Sequence, residues 1–109
     1  MSLKKPLYRL EKKAGEVASV LRLLANEKRL LVLCRLSLAG EMTVTELGEE
    51  VGLSQSALSQ HLAKLRANGL VATRREAQTH FYCIRDKRIG RLLTALYETY
   101  CASPKEKKA

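Results

Sequence analysis

Apolar positions recur at helical spacing along most of this chain, and past its middle the spacing changes. Val17, Val20, Leu21 and Leu24 stand at i, i+3, i+4 and i+7, which predicts one amphipathic helix from about Tyr8 to Ala25. A second helix follows over "EKRLLVLCRLSLA", with Asn26 as its N-cap and Gly40 as its stop. That helix is apolar nearly all round from Leu30 to Leu38, so it is expected at the buried centre. Thr43 and Glu46 have the Thr-x-x-Glu spacing of a capping box and open a short third helix that ends near Val51 and Gly52. Ser54 then starts a fourth, reaching about Ala67, with Leu58, Leu62 and Leu65 on one face and Ala57 beside them. A turn of two or three residues makes these last two helices cross steeply, the helix-turn-helix arrangement.

After Asn68 and Gly69 the period falls to two. "LVATRRE" and "THFYCIR" read as two strands joined through the polar tip "EAQT". Asp86 caps a last helix to about Cys101, striped by Ile89, Leu92, Leu93, Leu96, Tyr97 and Tyr100. The expected fold is mostly α with a β-hairpin wing: four helices, two strands and a fifth helix, in one domain over residues 8–102. Residues 1–7 and 103–109 are expected to be flexible basic tails.

Charge adds a partner to this picture. The chain carries 20 Lys+Arg against 11 Asp+Glu, a net charge of +9, and such an excess favours a polyanion because cationic side chains release counterions from phosphates. No apolar run reaches the roughly 18 residues of a membrane span, and "MSLKKPLYRL" lacks the features of a secretory signal, so the cytoplasm is expected and no membrane partner. The outer face of the fourth helix is the more specific signal. Ser54, Gln55, Ser56, Ser59 and Gln60, with Lys64 behind them, are the amides and hydroxyls that read base edges in a major groove. The helix N-terminus adds free N–H groups for a phosphate. Arg74 and Arg75 on the hairpin are expected to reach phosphates or the adjacent minor groove, with Gln78, Thr79 and His80 near the tip. The alternative is the same fold used for protein contacts, with Ser and Gln as solvent-compatible filler.

The string "LSQSALSQHLAKLRANGLVATRREAQTHFY", together with "LLANEKRLLVLCRL" before it, resembles the ArsR/SmtB family of bacterial winged helix-turn-helix repressors, over roughly Val17 to Cys101. The resemblance implies a homodimer joined through its first and last helices, bound to double-stranded DNA at an imperfect palindromic operator. The apolar stripes of the terminal helices suit that role, since so short a chain has few other places to bury them. A two-fold dimer sets its recognition helices about one turn of DNA apart, roughly 34 Å.

The same resemblance bears on what is sensed. Thiolate-type metal sensors of this family carry Cys-x-Cys at the third helix, which here reads "TVTELGEEVG", and the zinc-type site needs histidines that "DKRIGRLLTALYETYC" does not have. His61 reads as a packing residue and His80 as a wing residue, so neither a metal nor any other cofactor is expected. Cys34 and Cys101 resemble the cysteine pair of the BigR/SqrR/YgaV branch, to which HlyU- and NolR-like regulators are also similar. In that branch the pair answers reactive sulfur species or oxidants by forming a disulfide or polysulfide link that releases DNA. Against this, a buried cysteine such as Cys34 also serves as a small hydrophobe. Cys83 departs from the branch pattern; it alternates with Tyr82 and Ile84, so if those face inward it faces out.

The function read from the sequence is thus a redox- or sulfur-gated DNA-binding repressor. The alternative is a DNA-binding regulator or anti-repressor with structural cysteines and no sensing. No acid/base pair, nucleophile motif or phosphate-binding glycine loop points to catalysis, and no catalytic residue is assigned.

Overall fold

The computed structural model describes residues 4–102. Their order is α1 (Lys4–Lys12), α2 (Ala14–Leu24), α3 (Glu27–Ala39), β1 (Met42–Thr43), α4 (Val44–Val51), α5 (Gln55–Ala67), β2 (Val71–Glu76), β3 (Thr79–Ile84) and α6 (Lys87–Tyr100). Four helix starts are fixed by short polar side chains, each taking a backbone N–H that the first turn leaves free. Asn26 accepts from the Arg29 N–H at 3.0 Å, Ser54 from Ala57 at 3.2 Å and Asp86 from Arg88 at 3.0 Å. The capping box of α4 is complete: the Glu46 N–H donates to Thr43 Oγ1 at 3.2 Å, and the Thr43 N–H donates to Glu46 Oε1 at 2.8 Å.

Three expectations about the helices need correcting. The segment read as one helix from Tyr8 to Ala25 is two, because the ladder breaks at Lys13, whose N–H bonds three residues back to Leu10 instead of four. Gly15 weakens helix continuity there, and α1 buries none of its residues against the domain, so packing does not hold the two segments in line. Lys4 to Leu7, assigned to a tail, belong to α1, with Pro6 in the first turn where its missing N–H costs little. The rest of the expected tails, residues 1–3 and 103–109, lies outside the described residues. Finally, α3 is not buried all round: Val32, Leu33 and Leu36 are core, but Leu38 is 82% exposed and Leu31 also faces out.

The core forms where α3 meets the helix-turn-helix. Leu33 and Leu36 pack in one cluster with Leu47 of α4 and Leu58, Leu62 and Leu65 of α5, closed by Val71 and Ile89. The sheet has three strands in the order β1-β3-β2, one more than the hairpin expected, because Met42 and Thr43 pair antiparallel with Tyr82 and Phe81. The register Val71–Ile84, Thr73–Tyr82 and Arg75–His80 puts these pairs on one face. Ala72–Cys83, Arg74–Phe81 and Glu76–Thr79 share the other. Cys83 therefore does stand opposite Tyr82 and Ile84, which pack on the core, and it is half-buried.

The α4–α5 turn depends on close backbone approach. Gly52, at φ 69°, and Leu53 both donate N–H bonds to the Gly48 carbonyl, at 3.0 and 3.1 Å. A Cβ on Gly48 would stand 3.2 Å from the Leu53 carbonyl oxygen. Because Leu53 is tied by its own N–H and packs on the core, it has little room to give. Gly48→Ala gains up to about 1 kcal/mol of helix propensity but crowds a fixed turn, which costs roughly 1–3 kcal/mol. The expected result is a net loss of about 1 kcal/mol, seen as a lower urea midpoint with an unchanged slope; a rise in midpoint would show that the turn yields.

Candidate nucleic-acid interface

α5 turns Leu58, Leu62 and Leu65 into the core, and the helical period then fixes what faces out. Gln55, Ser56, Ser59, Gln60 and Lys64 are all exposed and fall on one continuous stripe, with Ala63 between the last two. The Ser54 hydroxyl sits at the head of this stripe as the N-cap acceptor for Ala57, so its part in any contact is limited to what remains after capping. His61 lies at the edge, half-buried; burial first, then Arg29 and Lys64, hold its imidazole below the usual pKa and keep it neutral at pH 7.

The hairpin projects beside this helix through a two-residue turn, Ala77 and Gln78. Ala77 has φ 55°, the positive value that the first central position of such a turn requires. Gln78, Thr79 and His80 are exposed around the tip. The two adjacent arginines part company. Arg75 shares its face with His80 and donates only from Nε to the Ala77 carbonyl, at 3.0 Å. Arg74 is on the other face, engaged by two carboxylates: Nε and Nη2 donate to Glu41 at 2.7 and 2.8 Å, and Nη1 donates to Glu76 at 2.8 Å. Its guanidinium lies 4.4 Å from the Phe81 ring centroid, and Glu41, paired with it, is held below the ordinary carboxylate pKa. Sequence reading grouped Arg74 with Arg75 and missed Glu41, which stands 33 positions away with no local signal to connect them.

Cys34 is half-buried in a shallow groove where α3 meets α6, with Ser37 and Leu38 on one side and Leu93, Thr94 and Tyr97 on the other. Burial pushes its thiol above its ordinary value, with Arg35 opposing more weakly. Cys101 is exposed at the C-cap of α6, one turn beyond Tyr97, whose carbonyl accepts its N–H at 2.8 Å. It thus continues the helix face that Leu93 and Tyr97 present to Cys34. Among the described residues no three His, Cys, Asp or Glu side chains converge on a point that would hold a metal ion, and no helix is long and apolar enough to cross a membrane.

A third surface is apolar. The stripe on α6 divides: Ile89 enters the core and Leu93 packs against it, while Leu92, Leu96, Tyr97 and Tyr100 remain exposed. Leu21 of α2 does likewise, and α1 adds Leu7, Tyr8 and Leu10. The two leucines of α1 stand three apart, the spacing that puts both on one face of the helix. Arg88 links these helices by bonding Asp86 at 2.8 Å and Glu16 of α2 at 3.1 Å.

The model of bacterial regulatory proteins of the arsR family matches residues 26–73, from the N-cap of α3 into β2. The chain is 46% identical over 95 residues to the transcriptional activator HlyU of Vibrio cholerae serotype O1, covering 87% of each protein. It superposes on the crystal structure of the transcriptional repressor BigR from Xylella fastidiosa with a TM-score of 0.82 at 38% identity, over 94% of this chain and 100% of that one. The homodimeric winged helix-turn-helix DNA-binding domain of Mb0332 from Mycobacterium bovis matches at 29% identity and a TM-score of 0.71, over 91% of this chain and 85% of that one. HlyU and BigR are transcriptional regulators and the Mb0332 domain is DNA-binding, and each match covers most of this chain, well beyond the helix-turn-helix alone. The chain belongs to the arsR family of bacterial regulatory proteins and is a transcriptional regulator of winged helix-turn-helix fold.

Proposed function

We propose that this regulator is a repressor that binds an imperfect palindrome in double-stranded DNA as a homodimer and lets go when reactive sulfur species or oxidants link Cys34 to Cys101. The observation that carries the DNA reading is the single exposed stripe of Gln55, Ser56, Ser59, Gln60 and Lys64 on α5, free of intramolecular duties and headed by a helix N-terminus. Amides and hydroxyls there meet base edges. Arg75, Gln78, Thr79 and His80 on the wing meet the backbone beside them. The exposed apolar side chains of α1, α2 and α6 are the surface that joins two copies, and the similar Mb0332 domain is itself homodimeric.

The switch is balanced chemistry. The exposed Cys101 thiolate attacks the terminal sulfur of an inorganic polysulfide and expels a polysulfide one sulfur shorter, leaving a persulfide on the protein. The Cys34 thiolate then attacks the inner sulfur, the S–S bond forms and hydrosulfide leaves; the protein has lost two electrons to the sulfur it released. Retention of further sulfur atoms between the cysteines gives the polysulfide form of the same link.

The experiment is fluorescence anisotropy with DNA from the region upstream of the protein's own coding sequence, at fixed salt, against an unrelated duplex. Expected is at least tenfold tighter binding to its own DNA, with an affinity that falls steeply as salt rises. Equal binding to both duplexes sinks the repressor reading and leaves a protein-contact module.

A second reading has its own support. The relative in Vibrio cholerae is described as a transcriptional activator, and Cys34 has the half-buried setting of a packing residue. On that reading the protein is a DNA-binding regulator or anti-repressor without a thiol switch, and its affinity for DNA is the same before and after polysulfide.

A further inference from the structure

We infer that Arg74 governs DNA binding without touching DNA, as a strap across the outer face of the sheet that sets the wing against the helix-turn-helix. This rests on the DNA-binding reading above.

The strap can be followed residue by residue. Thr43 of β1 pairs with Phe81 of β3, and Phe81 pairs with Arg74 of β2, so the three form one row across the sheet. Arg74 reaches over the Phe81 ring, its guanidinium 4.4 Å from the centroid, and grips both carboxylate oxygens of Glu41 at 2.7 and 2.8 Å. Glu41 is two residues before Thr43, hence on the same face of the extended strand, and Thr43 is the N-cap of α4. β1 itself contributes only two residues to the sheet. The ladder that joins the wing to the start of the helix-turn-helix is therefore two pairs long, and the Arg74–Glu41 fork reinforces it with a side-chain tie from β2, over the central strand β3, to the residue just before β1.

The same geometry removes Arg74 from competition for phosphate. Its third donor group is on Glu76 at 2.8 Å, so one guanidinium serves two carboxylates and the local sum is negative. A phosphate arriving there would have to displace both carboxylates and would meet them as repulsion. A bidentate fork with a stacked face is also a job for which lysine is a poor substitute, since its ammonium is a point charge with no plane. The neighbouring Arg75, on the opposite face with His80 and bonded only to a turn carbonyl, has the free charge that a phosphate contact needs. Exposed ion pairs contribute little to folding, so the strap can be cut without unfolding the domain.

The test uses the full-length protein, its own upstream duplex and anisotropy from about 50 to 200 mM salt. Variants are Arg74→Ala, Arg74→Lys, Glu41→Ala, Arg74→Ala with Glu41→Ala, and Arg75→Ala as comparator, with thermal melts to confirm folding. The strap predicts that both Arg74 variants and Glu41→Ala weaken specific binding by about three- to tenfold, that the double variant is no worse than Arg74→Ala, and that the salt slope is unchanged; Arg75→Ala reduces that slope by about 1.8 per dimer, two phosphates at roughly 0.9 each. A slope lowered by Arg74→Ala as by Arg75→Ala overturns the inference. So does wild-type affinity in Arg74→Lys, or tighter binding in Glu41→Ala, which would mean that Glu41 had been holding Arg74 away from DNA. Absence of any preference for its own duplex in the wild-type protein is a different failure: it removes the DNA reading and the strap's role in it together.

Discussion

Leu96→Arg is expected to sediment as a monomer and to bind the operator about four orders of magnitude more weakly than the wild-type protein. The size follows from two-fold symmetry. A dimer that holds its site at ~10 nM has about 11 kcal/mol of binding free energy, and a lone protomer reaches one half-site and about half of it, which places its affinity near ~0.1 mM. Leu96 is a suitable position because it is 38% exposed on the outer side of α6, between Leu92 and Tyr100 at steps of four, and is not part of the domain's own core. Burying a leucine contributes roughly 1.5–3 kcal/mol, and the two-fold repeats the loss, while a buried unpaired arginine adds a desolvation penalty on each side. Circular dichroism should be unchanged, since Ile89 and Leu93 still hold α6 to the domain. A variant that remains dimeric and keeps its affinity would put the interface elsewhere, with Leu31 and Leu38 of α3 as the remaining exposed apolar pair.

What the sequence made legible and what it hid divide along the range of the interactions. The starts of α3, α4, α5 and α6 could be read because a cap and the N–H it satisfies are two or three residues apart, as with Thr43 and Glu46 or Asp86 and Arg88. The outward stripe of α5 could be read because period and burial are set by Leu58, Leu62 and Leu65 on the same helix. The break at Lys13 could not, since it reflects packing that α1 lacks and not a residue that forbids a helix. Nor could the third strand: two residues make no period, and Met42 and Thr43 become a strand only because Tyr82 and Phe81 arrive beside them. Arg74 is the instructive case. Next to Arg75 in sequence it looks like half of a basic patch, and alternation along a strand puts the two on opposite faces, one stacked and paired, the other open. A pattern of charges says how many are present; the register says which are free.

Treatment of the reduced protein with inorganic polysulfide should weaken operator binding by ten- to a hundredfold, and neither Cys34→Ser nor Cys101→Ser should respond. The two cysteines are 67 positions apart, and closing a loop of that length restrains the chain by up to about 4 kcal/mol in the entropy model. Only the share felt differently by the DNA-binding and released conformations changes affinity; 2–3 kcal/mol of coupling gives about one to two orders of magnitude. The groove supplies a route for such coupling, because Cys34 sits on α3, the helix that packs on the helix-turn-helix through Leu33 and Leu36, and Cys101 at the end of α6, the helix that carries Leu96 and Tyr100. Burial sets the order and the pH dependence of the steps. Cys101 is exposed and reacts first, whereas the Cys34 thiol is pushed above its ordinary value near 9.0 by desolvation. Its neutral form is favoured throughout the neutral range, so the resolving step should accelerate as pH rises from neutrality, by up to about tenfold per pH unit, as the thiolate fraction grows. The folded state also gives up the preference for the neutral thiol as pH climbs through that raised value, so the protein loses stability at alkaline pH, not acid. Mass spectrometry of quenched samples should find label on Cys101 before Cys34, and Cys83→Ser, on the far face of the sheet from the core, should respond like wild type. Undiminished release in Cys34→Ser would assign the switch to Cys101 and Cys83, or to a link between protomers, and return Cys34 to the role of a small apolar side chain between two helices.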